Sequence, residues 1–336
     1  MSVKRKTADN FYPEVLKLFD KYVHDDISRR DFLQSVTQFA VSVSAMGLLD
    51  ALNPRFAEAQ QIASNDPRLT ASYMEYPSPQ GYDKLRGYLV QPVKAKGKLP
   101  TVLVVHENRG LNPHIENIAR RLALDNFIVF APDALFPLGG YPGDEDKARE
   151  LFSKLDQAKT KEDFIAAFGV LKKLPEGNGK VGVVGFCHGG GIANLLATRL
   201  PDLNAVVSFY GGQPADEDAA KIRAPLLLHY AEKDTRSTGG WPKYEAELAR
   251  HWNLPDEIIA VLRYHHTPDA VEAAAGQPII HMISLAEKLL ASFGIHEHVD
   301  ANISDKDWEV LGIDPCKAEE IGVEVAGQAE QAAAAY

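Results

Sequence analysis

Cysteine is scarce in this chain: Cys187 and Cys316 are the only two in 336 residues, too few for a disulfide framework or a cysteine-rich zinc site. Basic charge is also in short supply. The 36 Lys and Arg are outnumbered by 46 Asp and Glu, a formal net charge of −10, and no basic stripe is interleaved with aromatics. Broad nucleic-acid binding and adhesion to an anionic membrane are excluded on that ground, and the expected partner is a small molecule. No apolar run is long enough for a stable transmembrane span; the most apolar stretch, Val36 to Leu52, is interrupted by Thr37, Gln38, Ser42 and Ser44. There is no internal repeat, and the one low-complexity tract is the alanine-rich tail Ala326 to Tyr336, which is expected to fray. Nothing implies a cofactor, no metal-ligand spacing stands out, and nothing fixes an oligomeric state.

What is present is a composition close to that of an ordinary soluble protein, with 45% hydrophobic and 24% charged residues. The length suits one catalytic core of about 230 residues with extensions. The expected division is an N-terminal extension over 1–60, a catalytic domain over 70–295 and a C-terminal extension over 296–336, where Trp308 and Ile313 are suited to docking a helix on the core.

Ser28-Arg29-Arg30-Asp31-Phe32-Leu33-Gln34, followed by the moderately apolar run and then Ala57-Glu58-Ala59, resembles a twin-arginine export signal. On that reading the protein is periplasmic and residues 1 to about 60 are absent from the mature fold. The alternative is an amphipathic N-terminal helix retained on a cytoplasmic enzyme.

From residue 70 onward, short β-branched runs alternate with helical stretches. Tyr82 to Val93 reads as a hairpin, Leu99 to His106 as a continuous apolar strand, and Pro113 as the first position of a helix running to Asp125. Strands follow at Phe127 to Ala131, Lys180 to Phe186, Asn204 to Tyr210, Ala224 to Tyr230 and Glu257 to Tyr264. Helices are expected between Asp144 and Leu174, from Gly190 to Leu200 and from Tyr244 to His251. The alternation predicts an α/β fold with a doubly wound, mainly parallel sheet.

Gly185-Phe186-Cys187-His188-Gly189 lies between such a strand and such a helix. It has the G-x-nucleophile-x-G form of the elbow in an α/β-hydrolase fold, with cysteine as nucleophile. The glycines admit a tight, strained turn, and the helix start aims N–H groups at the sulfur, which favours thiolate. The bland alternative is a glycine-rich turn holding a structural cysteine. A nucleophile needs a base and the base an orienting acid, in the chain order nucleophile, acid, histidine. Asp234 follows the strand ending at Tyr230, with Glu232 as the competing carboxylate. His265 and His266 both follow the last expected strand, and either suits the base; His281, His229 and His188 are outside candidates. The oxyanion donors are expected to be the backbone N–H groups of His188 and Asn108. Glu107 is placed to influence Cys187, or else pairs with Arg109.

The stretches His106 to His114, Ala131-Pro132-Asp133-Ala134, Gly185 to Gly190, and His229-Tyr230-Ala231 leading to Asp234 together resemble the dienelactone hydrolases, in particular a subgroup with an export-type N-terminus. The resemblance covers residues 70–250. It implies a Cys-Asp-His triad and a glutamate that holds the thiol at rest, carried by Cys187, Asp234 and Glu107. Members usually set the histidine in a Tyr-Pro-Gly-x-x-His-x-Phe context, whereas here Tyr264 runs directly into His265-His266. The arginines that clamp a dienelactone carboxylate have no counterpart in the matching positions. The function expected is hydrolysis of an ester or lactone, with a thioesterase or amidase on the same scaffold, or a degenerate hydrolase that only binds a ligand, as alternatives.

Overall fold

A computed structural model describes residues 11–24, 26–39, 44–52, 60–231, 234–252, 254–264, 267–292, 302–318 and 320–324. The chain divides into two compact units, 1–61 and 62–336.

The first unit holds α1 (Pro13–Val23), α2 (Arg29–Val36) and α3 (Ala45–Leu52). Ser28 starts α2 through a capping box: its hydroxyl takes the Asp31 N–H while the Asp31 carboxylate takes the Ser28 N–H. Arg29 and Arg30 thus form the first turn of a capped helix. Val15, Tyr22, Phe32, Val36 and Leu49 bury together as a small core, with Tyr22 stacked on Phe32 at 5.2 Å. Val36 closes α2, so the apolar run breaks into separate pieces rather than one helix. Among the described residues no helix is long and apolar enough to cross a membrane.

The second unit is built on a seven-stranded sheet in the order β1-β2-β4-β3-β5-β6-β7. Its strands are β1 (Leu69–Ser78), β2 (Asp83–Pro92), β3 (Leu99–Val105), β4 (Ile128–Pro132), β5 (Gly177–Phe186), β6 (Ala205–Phe209) and β7 (Leu226–His229). The hairpin is made by β1 with β2, so Tyr82 to Val93 is one strand of it and not the whole. From β4 through β7 every pairing is parallel. Strands β3 and β4 bury nearly every residue, as a sheet covered on both faces requires.

Helix α4 (Pro113–Leu124) opens as expected on Pro113, with the Asn112 side chain capping the Ile115 N–H. It covers one face through Ile115, Ala119 and Ala123. Helices α5 (Glu145–Phe152), α6 (Gln157–Lys172) and α7 (His188–Arg199) belong to the other, larger core. Two single-turn helices, α8 (Asp216–Ala219) and α9 (Thr235–Thr238), precede α10 (Trp241–His251).

The strand expected over Glu257 to Tyr264 is instead a helix, α11 (Asp256–Tyr264). Pro255, Asp256 and Glu257 start it in the manner of a helix N-terminus. Ala260 and Val261 bury against Ala273 and Ile280 rather than against the sheet. Helices α12 (Ile279–Ser292) and α13 (Asp305–Glu309) follow, and Trp308 of α13 is buried, while Ile313 is half-buried. Among the described residues, β7 is accordingly the last strand of the sheet.

Candidate active site

The carboxyl ends of the parallel strands gather the polar groups, the place where an open α/β sheet puts its ligand crevice. At the end of β5, Cys187 has φ 54° and ψ −113°, outside the conformations a cysteine adopts freely. Its N–H donates to the Phe209 carbonyl at 3.0 Å, and its own carbonyl takes the Gly191 N–H at 3.1 Å. The flanking glycines are obligatory. A Cβ on Gly185 would stand 1.9 Å from the Gly189 carbonyl oxygen, and one on Gly189 would stand 2.2 Å from that of Val105. The strand and helix thus pass closer than any side chain permits, and the strain falls on Cys187.

The sulfur is half-buried. Burial pushes its thiol above the ordinary value; the Arg236 guanidinium pulls it down, the Glu107 carboxylate raises it, and the His188 N–H and Arg109 lower it without reversing the sign. The His188 N–H does point at the sulfur, as expected from the helix start, but desolvation outweighs its preference for thiolate. The resting group is a thiol.

Glu107, just past β3, accepts the Tyr210 hydroxyl at 3.2 Å. Arg109 lies 3.7 Å from Glu107 and 3.2 Å from Glu145, so one guanidinium serves two carboxylates. Tyr210, just past β6, holds a positive φ of 42°, and its phenol is pushed up by burial and by Glu107.

Asp234 caps α9. Its carboxylate accepts the N–H groups of Arg236 at 3.2 Å and Ser237 at 3.3 Å, together with the Ser237 hydroxyl at 2.5 Å. Burial by itself would raise this carboxyl, but the bonds from Ser237 and the Arg236 charge outweigh it, and it lies below the ordinary carboxylate range. The Arg236 guanidinium stands 3.7 Å from the same carboxylate.

Beneath the elbow lie two imidazoles. His106 is fully buried, and desolvation lowers it from 6.5 to about 4. The His188 ring meets Phe152 edge-on at 4.8 Å, its Nε2 is buried without a hydrogen-bond partner, and desolvation likewise lowers it to about 4.

The sequence model of the dienelactone hydrolase family matches residues 85–251, and one described as YqhI-like matches residues 3–39. The "Putative hydrolase fragment YghX" of Escherichia coli K12 is 53% identical over 114 residues, which is 34% of this chain and 97% of that protein. A "Putative carboxymethylenebutenolidase" of the same organism is 31% identical over 239 residues, covering 66% of this chain and 85% of that protein. The chain belongs to the dienelactone hydrolase family. Membership makes it a hydrolase of the carboxylic ester class. Among solved structures, the "Putative Dienelactone Hydrolase from Klebsiella pneumoniae" is 27% identical, with a TM-score of 0.46, covering 55% of this chain and 82% of that one.

In this member of the family, Cys187, Glu107 and the His188 N–H come together at the strand ends. Asp234 lies at the end of the same sheet, joined to the group through Arg236, which touches its carboxylate and acts on the sulfur. Asn108 sits in the loop beside Glu107. His265 and His266 lie outside the described residues, as does Glu232. Tyr264, which precedes the pair, ends α11 and packs with the cluster of Ala260 and Ile280, not at the end of a sheet strand. His188 is committed to the core through its ring. Sequence reasoning missed Arg236 and Tyr210. Tyr210 had a signal, since it follows a strand just as Glu107 does; Arg236 had none beyond its closeness to Asp234.

Proposed function

We propose that the chain hydrolyses carboxylic esters or lactones with Cys187 as nucleophile. The observation that carries this reading is the strained Cys187 backbone on a strand-to-helix turn, with the His188 N–H on the sulfur. In the acylation step, the thiol proton passes to the imidazole of His265 or His266, which Asp234 orients. The sulfur–carbon bond forms and the carbonyl π pair moves onto oxygen, stabilised by the N–H groups of His188 and Asn108. Collapse of this adduct expels the alkoxide, which takes the proton from the imidazolium. Water then attacks the thioester, giving up its proton to the imidazole, and the acid leaves as Cys187 returns to the thiol. One water is consumed, and an acid and an alcohol are made. Glu107 holds the thiol at rest between turnovers.

The test is hydrolysis of p-nitrophenyl acetate by Cys187→Ala. Loss of turnover with unchanged circular dichroism is expected, and full retained activity overturns the reading. Parallel assays on thioester and anilide substrates separate an esterase from a thioesterase or an amidase.

For the N-terminal motif two readings stand. Export to the periplasm follows from the order of its residues. Retention on a cytoplasmic enzyme is supported by the capping of α2 by Ser28 and the burial of Phe32 and Val36. Cell fractionation with mass analysis of the N-terminus decides: a periplasmic chain lacking about 60 residues favours export, an intact cytoplasmic chain retention.

A further inference from the structure

His106 takes no part in the proposed reaction, yet both of its ring nitrogens are committed. Nδ1 stands 2.6 Å from the Glu107 carbonyl oxygen. A carbonyl can only accept, so Nδ1 carries the hydrogen. Nε2 stands 3.1 Å from the Ala134 nitrogen, whose N–H can only donate, so Nε2 offers its lone pair. The two partners hold a neutral imidazole in a single tautomer. Phe152 and Phe164 meet the ring edge-on at 6.1 and 5.9 Å and fix its plane.

The bond to Glu107 controls more than one atom. The Glu107 carbonyl and the Asn108 N–H belong to one trans peptide and point in opposite directions. A bond that draws the carbonyl towards the buried ring therefore turns the Asn108 N–H away from it. The far end of the same loop is held as well, since the Asp133 carboxylate takes the Leu111 N–H. Asp133 and Ala134 are consecutive, so one turn after β4 grips the loop at both ends. The Glu107 side chain has separate anchors in Tyr210 and Arg109, which leaves the peptide plane to His106.

We infer that His106 is a positioning residue: its fixed tautomer sets the Glu107–Asn108 peptide plane and so aims the Asn108 N–H as an oxyanion donor. The inference rests on the roles proposed above for Cys187 and Asn108.

His106→Leu removes both bonds, His106→Asn keeps a donor at the δ position, and His106→Gln moves the amide out to the ε position. Two reagents then separate aim from mere integrity of the site. A trifluoromethyl ketone adds to the sulfur with its carbonyl pair moving onto oxygen, so its adduct needs the oxyanion donors. Iodoacetamide alkylates the sulfur by displacing iodide and makes no oxyanion. In His106→Leu, kcat for p-nitrophenyl acetate should fall by about 10²- to 10³-fold, the loss typical of one oxyanion donor, with KM changed less than about threefold. Ketone affinity should fall with kcat while the alkylation rate stays within about twofold, and His106→Asn should recover at least about tenfold of the lost kcat.

Equal losses with both reagents, an unchanged kcat, or an Asn variant no better than Leu would overturn the inference. Should His106→Leu fail to fold, Asn is expected to outperform Gln in kcat and in ketone binding, and the reverse order or equality overturns it. Cys187→Ala reports on the nucleophile independently, so a failure of that reading is seen apart from the outcome at His106.

Discussion

The buried His188 ring makes the second unit acid-sensitive in a way that one substitution can isolate. Its folded value of about 4 lies below the ordinary 6.5 because burial opposes the charge. As the pH falls, the unfolded chain therefore takes up a proton before the folded one does. The contribution to stability is intact above about pH 6.5, is lost between there and about pH 4, and changes no further below. Between pH 8 and pH 5 the cost for this one ring is about 2 kcal/mol, from about 1.4 kcal/mol per pH unit over the open interval. His188→Phe keeps a flat ring against Phe152 and removes the partnerless Nε2. The variant should be about 1 kcal/mol more stable at pH 8 and should lose about 2 kcal/mol less than the parent on going to pH 5. His106 and the buried carboxylates Asp133 and Asp163, which are raised by burial, titrate in both proteins and cancel in the difference. Urea unfolding followed by tryptophan fluorescence is the assay. Trp241, Trp252 and Trp308 are all the tryptophans of the chain and lie in the second unit, so the N-terminal helices are silent. With a slope of about 2 kcal/mol/M the parent midpoint should drop about 1 M further than the variant's. Identical pH dependence in the two proteins would refute a neutral, buried His188.

Three further outcomes are expected. Gly185→Ala should abolish esterase activity and cost upwards of about 3 kcal/mol, since its new methyl meets backbone rather than a movable side chain; a folded, active variant on the same urea and p-nitrophenyl acetate assays contradicts the close approach. Arg236→Ala should raise the Cys187 thiol further and Glu107→Gln should lower it, so that the pH profiles of iodoacetamide alkylation move in opposite directions; a common direction would mean that neither charge acts on the sulfur. Phe32→Ala should melt the N-terminal helices, at a cost of about 3–5 kcal/mol; loss of far-UV helix signal is the expected outcome, and an unchanged spectrum would contradict the burial of that ring.

The elbow and the strands leading into it were legible because both signals are local. Gly185-x-Cys187-x-Gly189 specifies its turn through a few consecutive residues, and Val102 to Val105, rich in β-branched valine after Pro100, suits a strand covered on both faces. Asn112-Pro113 marked a helix start for the same reason. The segment from Asp256 to Tyr264 misled, since Ile258-Ile259-Ala260-Val261 suits a buried strand or a buried helix equally by its apolar run. The acidic start after Pro255 was the signal to weigh against it. Burial of individual polar groups was not legible at all. His106 and His188 look in sequence like any other imidazoles, and it is their burial, with Phe152 packed on both, that opposes their charge. Arg236 reached the sulfur through folding of the strand-end loops, a distance no spacing encodes.

The thiol that burial and Glu107 keep protonated is also sheltered from oxidants. Peroxide and disulfides attack the thiolate, so a sulfur that rests as a thiol is passed over, which under the proposed mechanism spares Cys187 between turnovers. The exposed sulfur of Cys316 stands open to the same reagents. In ageing preparations, mixed disulfides and oxidised sulfur should therefore accumulate first at Cys316, far in sequence from the elbow, while the titre of active sites declines more slowly.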